Sequence, residues 1–281
     1  MVVTLQNETK PTASLLFRIR RNFGWRWRKL RKAVLRRLAF RRLRREAEPV
    51  AVTDRSAVVF APHQDDETLG CGGLIAAKCR LGAPITVVFL TDGGACSLDE
   101  TTPEQRAEIS AMRRQEALRA LHALGMQADD VVFLDLPDGE LTGFGDAERQ
   151  AAVGKIEAVL QRVAPQEVFL PFRNDFHPDH QATHRLVKAA AAGSGRPVEL
   201  WNYFVWSLWE SSCLDVLSAR ERSRLVRIEL PPAERARKQA ALAAYRSQYE
   251  SDPTRRLILL PDGFLRFFSS PLEYFLRESE A

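Results

Sequence analysis

Cysteine is scarce in this chain. Cys71, Cys79, Cys96 and Cys213 are the only four in 281 residues, and no two form a CxxC pair. Spacings so wide build no small-disulfide framework. The four read as reduced thiols, which suit a cytosolic setting. Long apolar runs are also missing. None reaches about 18 residues, so no segment is expected to span a membrane. The N-terminus has no short apolar core followed by a small-residue cleavage site, so a secretory signal is not expected. Neither GxGxxG, GxxxxGK[ST] nor HExxH occurs, and Gly193-Ser194-Gly195 lacks the spacing of a GxSxG elbow. Dinucleotide, P-loop, zincin and serine-hydrolase chemistries are thereby disfavoured. Histidine is scarce too, but it is not scattered. Of five, His63, His177, His180 and His184 fall in two short stretches, and His122 lies apart.

Charge is uneven. The net charge is +5, yet residues 15–45 hold 14 Arg or Lys and no acid, so the remainder sums to −9. The segment reads as a basic N-terminal arm (1–49) attached to an acidic body (50–281). Trp27, Leu30, Val34 and Leu38 recur at three- and four-residue steps, which predicts an amphipathic helix. Its polar face is almost pure arginine, with Phe23, Trp25 and Phe40 among the apolar residues. That pattern suits an anionic membrane surface, so the protein is placed in the cytoplasm, peripheral on the inner face of the membrane. Nucleic acid is the less favoured partner. A targeting peptide, or an arm packed on the body or on a partner subunit, are the other readings.

After Glu48-Pro49 the chain alternates. Short apolar runs at 57–61, 85–90, 131–136 and 167–171 read as buried strands. Helical patterns at 66–81, 103–125, 146–163 and 180–192 separate and follow them. This rhythm predicts an α/β fold, a Rossmann-like, mostly parallel sheet flanked by helices. About 230 residues suffice for a large core without disulfides. The tail departs from the rhythm, with edge or antiparallel strands expected at 199–206 and 224–230 and a helix at 231–248.

Ligands in open α/β sheets bind beyond the carboxyl ends of the strands. Two such ends carry chemistry. His63-Gln64-Asp65-Asp66-Glu67 follows the first strand, and RNDFHPDHQATH (173–184) follows the fourth. Imidazole and carboxylate suit zinc, and two His with one carboxylate leave a position for water. Adjacent aspartates do not easily point at one metal, so one as ligand and one as base is the economical arrangement. The bland alternative is that Asp66 or Glu67 merely caps the next helix. Finding both clusters at strand ends in one chain argues against it.

PHQDDETLGCGG (62–73) resembles the AHPDDE signature of the LmbE-like (PIG-L) N-deacetylase family, and HPDH (177–180) resembles its HxDH signature. TDGG (91–94), RRQEALRALHALG (113–125), FLDLPDG (133–139) and KQAALAAYRSQ (238–248) are also similar, so the likeness covers about residues 52–277. The resemblance implies a Rossmann-like fold and zinc-dependent removal of acetyl from an N-acetylated sugar; imidazole and carboxylate accept iron as well, which makes it the alternative metal. It implies His63, Asp66 and His180 as metal ligands and Asp65 as general base. His177 would stabilise the oxyanion or assist the leaving amine, with Asp179 orienting it. Arg113 and Asp138 would meet sugar hydroxyls. The plain alternatives are an Arg113–Glu116 helix pair and a turn role for Asp138 beside Gly139.

Two residues depart from the family pattern. Gln64 stands where proline is usual, which frees a backbone N–H. Tyr245 stands where many members have histidine, and core packing is the reading favoured for it. Glu67 is expected to hold the loop or helix start without direct chemistry. The arm suggests a membrane-bound or lipid-linked glycan substrate. A soluble glycoside, or a non-catalytic basic adaptor, are the alternatives.

Overall fold

A computed structural model of the chain describes residues 34, 36–97, 100–210, 213–251 and 256–278. Most of the basic arm therefore lies outside the described residues. Its last part, 36–46, is helical (α1). Leu43 and Ala47 are buried in the core, while Leu38 is half exposed.

Among the described residues the sheet has eight strands. They are β1 (Glu48–Pro49), β2 (Ala57–Ala61), β3 (Ile85–Thr91), β4 (Val131–Leu136), β5 (Glu167–Pro171), β6 (Glu199–Tyr203), β7 (Leu225–Glu229) and β8 (Leu272–Arg277). Their order is β1-β7-β8-β6-β5-β2-β3-β4. All pairings are parallel except those of β8, which runs antiparallel to both β6 and β7. The α/β class and the mostly parallel sheet are as the alternation predicts. The continuous apolar runs are explained by burial on both faces: every residue of β2 and β5 is buried.

The helices that pack against the sheet are α2 (Asp66–Leu81), α3 (Pro103–Leu124), α4 (Asp146–Val163), α5 (Pro178–Gly193) and α8 (Pro232–Leu242). One core layer joins the sheet to α2, α3 and α8, and the other joins it to α4 and α5. Local chemistry sets the boundaries. Thr102 and Gln105 form a capping box ahead of α3, Pro103 opens it, and Gly125 closes it at φ 104°.

The tail differs from the sequence expectation in three ways. β8, in the run LEYFLR, is unforeseen, and it places β6 and β7 inside the sheet rather than at an edge. The expected strand 199–206 stops at Tyr203, and Trp206–Trp209 forms a short helix, α6, followed by another, α7 (Ala219–Arg222). The expected helix 231–248 ends at Leu242, with a 3₁₀ turn at Arg246–Gln248. Between β7 and β8 lie α8 and a last short helix, α9 (Phe264–Phe268).

Helix α2 carries GCGG in its middle and is buried from Asp66 to Lys78. A Cβ at Gly70 would stand 2.3 Å from the Tyr203 ring, and one at Gly73 would stand 2.3 Å from Leu230. These glycines let a helix lie directly on side chains of the sheet and of the tail. Tyr203 is thereby pinned, with its hydroxyl donating to the Phe60 carbonyl at 2.9 Å. Gly70→Ala is expected to cost about 1–3 kcal/mol by overpacking, seen as a lower urea midpoint at unchanged slope.

Candidate metal centre and catalytic site

Strand order reverses at β2, with β3 and β4 on one side and β5 and β6 on the other. The crevice beyond the carboxyl ends of β2 and β5 is thus a topological switch point. The two ligand-rich stretches leave adjacent strands there, although His63 and His180 are far apart in sequence. The loop after β4 adds Asp138, and α3 adds Arg113. The resulting cavity, of about 200 Å³, is lined by His63, Asp65, Asp66, Arg113, Asp138 and His177 on its polar side. Val205, Trp206, Phe264 and the stretch Ile258–Leu260 form the apolar side. The turn into α6 breaks the expected strand alternation, so Val205 and Trp206 both face the cavity.

Asp66 is central. Its Oδ2 lies 3.1 Å from His63 Nδ1 and 3.1 Å from His180 Nε2. Its carboxylate also accepts the His63 backbone N–H at 3.1 Å, so it is not spent on capping α2. Burial raises the Asp66 pKa, but the charges and hydrogen bonds of His180 and His63 outweigh it and hold the carboxyl well below its usual range. Beyond each imidazole stands a further carboxylate. Asp175 Oδ2 is 2.8 Å from His180 Nδ1, with both side chains fully buried. Asp175 itself accepts the backbone N–H groups of Trp206 and Ser207 at 3.1 and 2.5 Å. His63 Nε2 faces Asp138 Oδ1 at 3.2 Å and Asp179 Oδ2 at 3.3 Å.

This donor set fits a divalent cation. Both ring nitrogens of His180 are buried without an aligned hydrogen bond, although carboxylates stand within reach. Donor atoms within 4.8 Å of one another group His63 with His177 and His180, and His63 with Asp138 and Asp179, while Asp66 reaches His63 and His180 from between them. Carboxylates behind the imidazoles are the usual means of fixing ring orientation at a metal.

Asp65 differs from its neighbour. It points into the cavity with its Oδ1 3.6 Å from Arg113 Nη2. Burial and the Asp66 charge push its carboxyl up to about 8, against the opposing charges of Arg113 and His63. Its backbone is unusual, at φ 146° and ψ −29°, where L-residues are rarely found. His177 caps α5, and its Nδ1 accepts the Asp179 backbone N–H at 3.2 Å. In the neutral ring this puts the proton on Nε2, which is then a donor.

The Asp179 carboxylate has a different place from the expected one. It meets His63 and accepts the Gly139 amide at 2.8 Å, and the hydrogen bond to His177 comes from its backbone N–H. Asp138 accepts the Ala95 amide at 2.9 Å and reaches His63, a role its turn position does not reveal. Arg113 turns inward, 4% exposed, and donates to the Gln64 carbonyl at 2.8 Å. Glu116 pairs instead with Ser247, accepting its N–H and its hydroxyl at 2.9 and 2.6 Å. Gln64 has an account here: its amide donates to the Thr91 carbonyl at 2.8 Å, tying the site loop to the end of β3. Asp175 went unnoticed in the sequence. The available signal was a carboxylate five residues before His180 in the same post-strand stretch.

The family PIG-L, GlcNAc-PI de-N-acetylase, matches residues 58–191. A 1D-myo-inositol 2-acetamido-2-deoxy-alpha-D-glucopyranoside deacetylase of Mycobacterium leprae is 28% identical over 82% of this chain and 91% of its own. A probable N-acetyl-alpha-D-glucosaminyl L-malate deacetylase 2 of Bacillus cereus is 32% identical over 50% of this chain and 62% of its own. Among solved structures, the conserved protein TT1542 of Thermus thermophilus is 30% identical with a TM-score of 0.51, covering 71% of this chain and 82% of the other. With its signatures at adjacent strand ends of the same fold, the chain belongs to the PIG-L (LmbE-like) family of deacetylase enzymes.

Proposed function

We propose that the chain is a zinc-dependent hydrolase that removes acetyl from an N-acetylglucosamine- or N-acetylgalactosamine-type sugar, with ferrous iron able to replace zinc. The observation that carries this reading is the meeting of His63, Asp65, Asp66 and His177 around one cavity, with His180 Nε2 3.1 Å from Asp66 Oδ2. His63, Asp66 and His180 would hold the cation. When bound, it polarises the acetamide carbonyl and acidifies water. Asp65 takes a proton from the attacking water and returns it to the amine nitrogen as the C–N bond breaks. The His177 Nε2–H donates to the carbonyl oxygen as negative charge develops there. Asp179 contributes twice, fixing the His177 tautomer through its backbone amide and the His63 ring through its carboxylate. Arg113 and Asp138 line the cavity where sugar hydroxyls would bind.

The arm is read as a surface anchor on anionic lipid, and the substrate as a membrane-bound or lipid-linked glycan. One contact chain supports this. The Arg36 guanidinium of α1 lies 3.9 Å from the Trp209 ring centre. Trp209 packs on Phe264, at 4.9 Å between centroids, and Phe264 lines the cavity. The basic helix thus adjoins the apolar wall of the site. Among the described residues, no helix is long and apolar enough to cross a membrane, so attachment would be peripheral. The second reading is a soluble sugar–inositol glycoside, favoured by the likeness to the mycobacterial deacetylase over most of its length.

Acetate release from both substrate types tests these readings. The zinc-loaded chain should release acetate, a chelator should abolish release, and added zinc should restore it. A GlcNAc-lipid in anionic vesicles should be preferred, with the preference falling as salt rises. Preference for the soluble glycoside at every salt concentration would favour the second reading. No acetate from any N-acetyl sugar would overturn both.

A further inference from the structure

Two buried groups near the site have no part in the chemistry described above. Glu67 and Tyr245 are both fully buried, and neither lines the cavity. They meet across 178 positions of sequence: the Tyr245 hydroxyl donates to Glu67 Oε1, as does the Thr68 hydroxyl. The other oxygen of Glu67 accepts the Asp65 backbone N–H at 3.1 Å. That amide belongs to the residue held at φ 146°. A non-glycine residue keeps such a conformation only when its surroundings enforce it.

We propose that Tyr245 and Glu67 are a positioning pair that holds the Asp65 backbone in its strained conformation and so aims the Asp65 carboxylate into the cavity. The inference rests on the reading of Asp65 as the base. The support is directional. Glu67 receives its donors from two sides, so its carboxylate has one orientation and presents Oε2 to the Asp65 amide. Tyr245 cannot drift, because Ser247 is clamped to Glu116 at 2.9 and 2.6 Å and Lys238 donates to the Leu69 carbonyl at 2.9 Å. Losing the Tyr245 hydroxyl leaves Glu67 Oε1 with the Thr68 hydroxyl alone, so the carboxylate loosens and the peptide before Asp65 relaxes. The Asp65 carboxylate then leaves its place 3.6 Å from Arg113.

The test uses the full zinc-loaded chain. Tyr245→Phe should lower kcat by about tenfold, as loss of an orienting partner typically does. KM and zinc stoichiometry should stay unchanged. Amide hydrogen exchange at Asp65 should quicken. Glu67→Gln, which keeps an oxygen for the Asp65 amide, should recover most of the rate lost in Glu67→Ala. If Glu67→Ala does not fold, the Tyr245→Phe measurements decide alone. Wild-type kcat, unchanged exchange, or zinc lost in step with rate in Tyr245→Phe would each overturn the pairing. Asp65→Asn separates the two readings. Full activity in that variant defeats the base assignment, whereas an inactive Asp65→Asn beside a fully active Tyr245→Phe defeats only the pairing.

Discussion

Asp65→Asn is expected to lower kcat by about 10²–10⁴-fold, the usual contribution of a positioned general base. The exchange preserves shape and volume and removes the ability to accept a proton. KM should change little, since the amide can still face Arg113 Nη2, which stands 3.6 Å from Asp65 Oδ1. Metal content should persist, because the group between the two imidazoles is Asp66, not Asp65. This combination distinguishes a base from a ligand. His180→Ala should lose metal and rate together. A drop in zinc stoichiometry in Asp65→Asn would reassign Asp65 to the metal, and a wild-type kcat would remove it from the chemistry.

Lys238→Ala should destabilise the fold by about 3–5 kcal/mol, the typical cost of breaking one side of a buried ion pair. Lys238 and Glu273 are 1% and 3% exposed, and their charged atoms are 2.6 Å apart. Both also reach into the middle of α2. Glu273 accepts the amides of Gly73 and Leu74 at 2.6 and 2.9 Å, and Lys238 donates to the Leu69 carbonyl at 2.9 Å. Removing the ammonium leaves a buried carboxylate without its counter-charge. Since α2 begins at Asp66, the damage should reach the metal centre as weaker zinc binding. Urea unfolding of the metal-free chain measures the first effect, and a zinc titration measures the second. The double variant Lys238→Met with Glu273→Leu should recover stability relative to Lys238→Ala, because apolar replacement of both partners removes the unpaired charge. A single variant within about 0.5 kcal/mol of wild type, the range of inert surface substitutions, would contradict this account.

The fold was legible because its signals are local. AVVFA is apolar throughout and EVFLP is apolar after Glu167, as suits strands buried on both faces. Thr102-Pro103 and Gly125 mark the ends of α3 by backbone chemistry that acts within a few residues. LEYFLR was missed because it has no flanking helix rhythm, and its pairing with β6 and β7 depends on distant partners. The expected helix 231–248 overran for a related reason. Its pattern continues past Leu242, but Tyr245 and Ser247 are drawn to Glu67 and Glu116, and those contacts end the helix.

The candidate site divides in the same way. His63, Asp65 and Asp66 stand together in the chain, as do His177, Asp179 and His180, so the sequence by itself determined which donor types gather at two strand ends. It also determined the parallel-sheet class, through runs whose apolar character is set residue by residue. Only the tertiary structure decided that β2 and β5 are neighbours, and hence that the two clusters form one site. It decided that Asp138 and Asp179 face His63, that Asp175 faces His180, and that Glu67 holds Asp65 from Tyr245. Which carboxylate serves which imidazole is set by packing across the sheet. A hydrogen bond is sensitive to tenths of an ångström, and residue type and spacing carry no information at that scale.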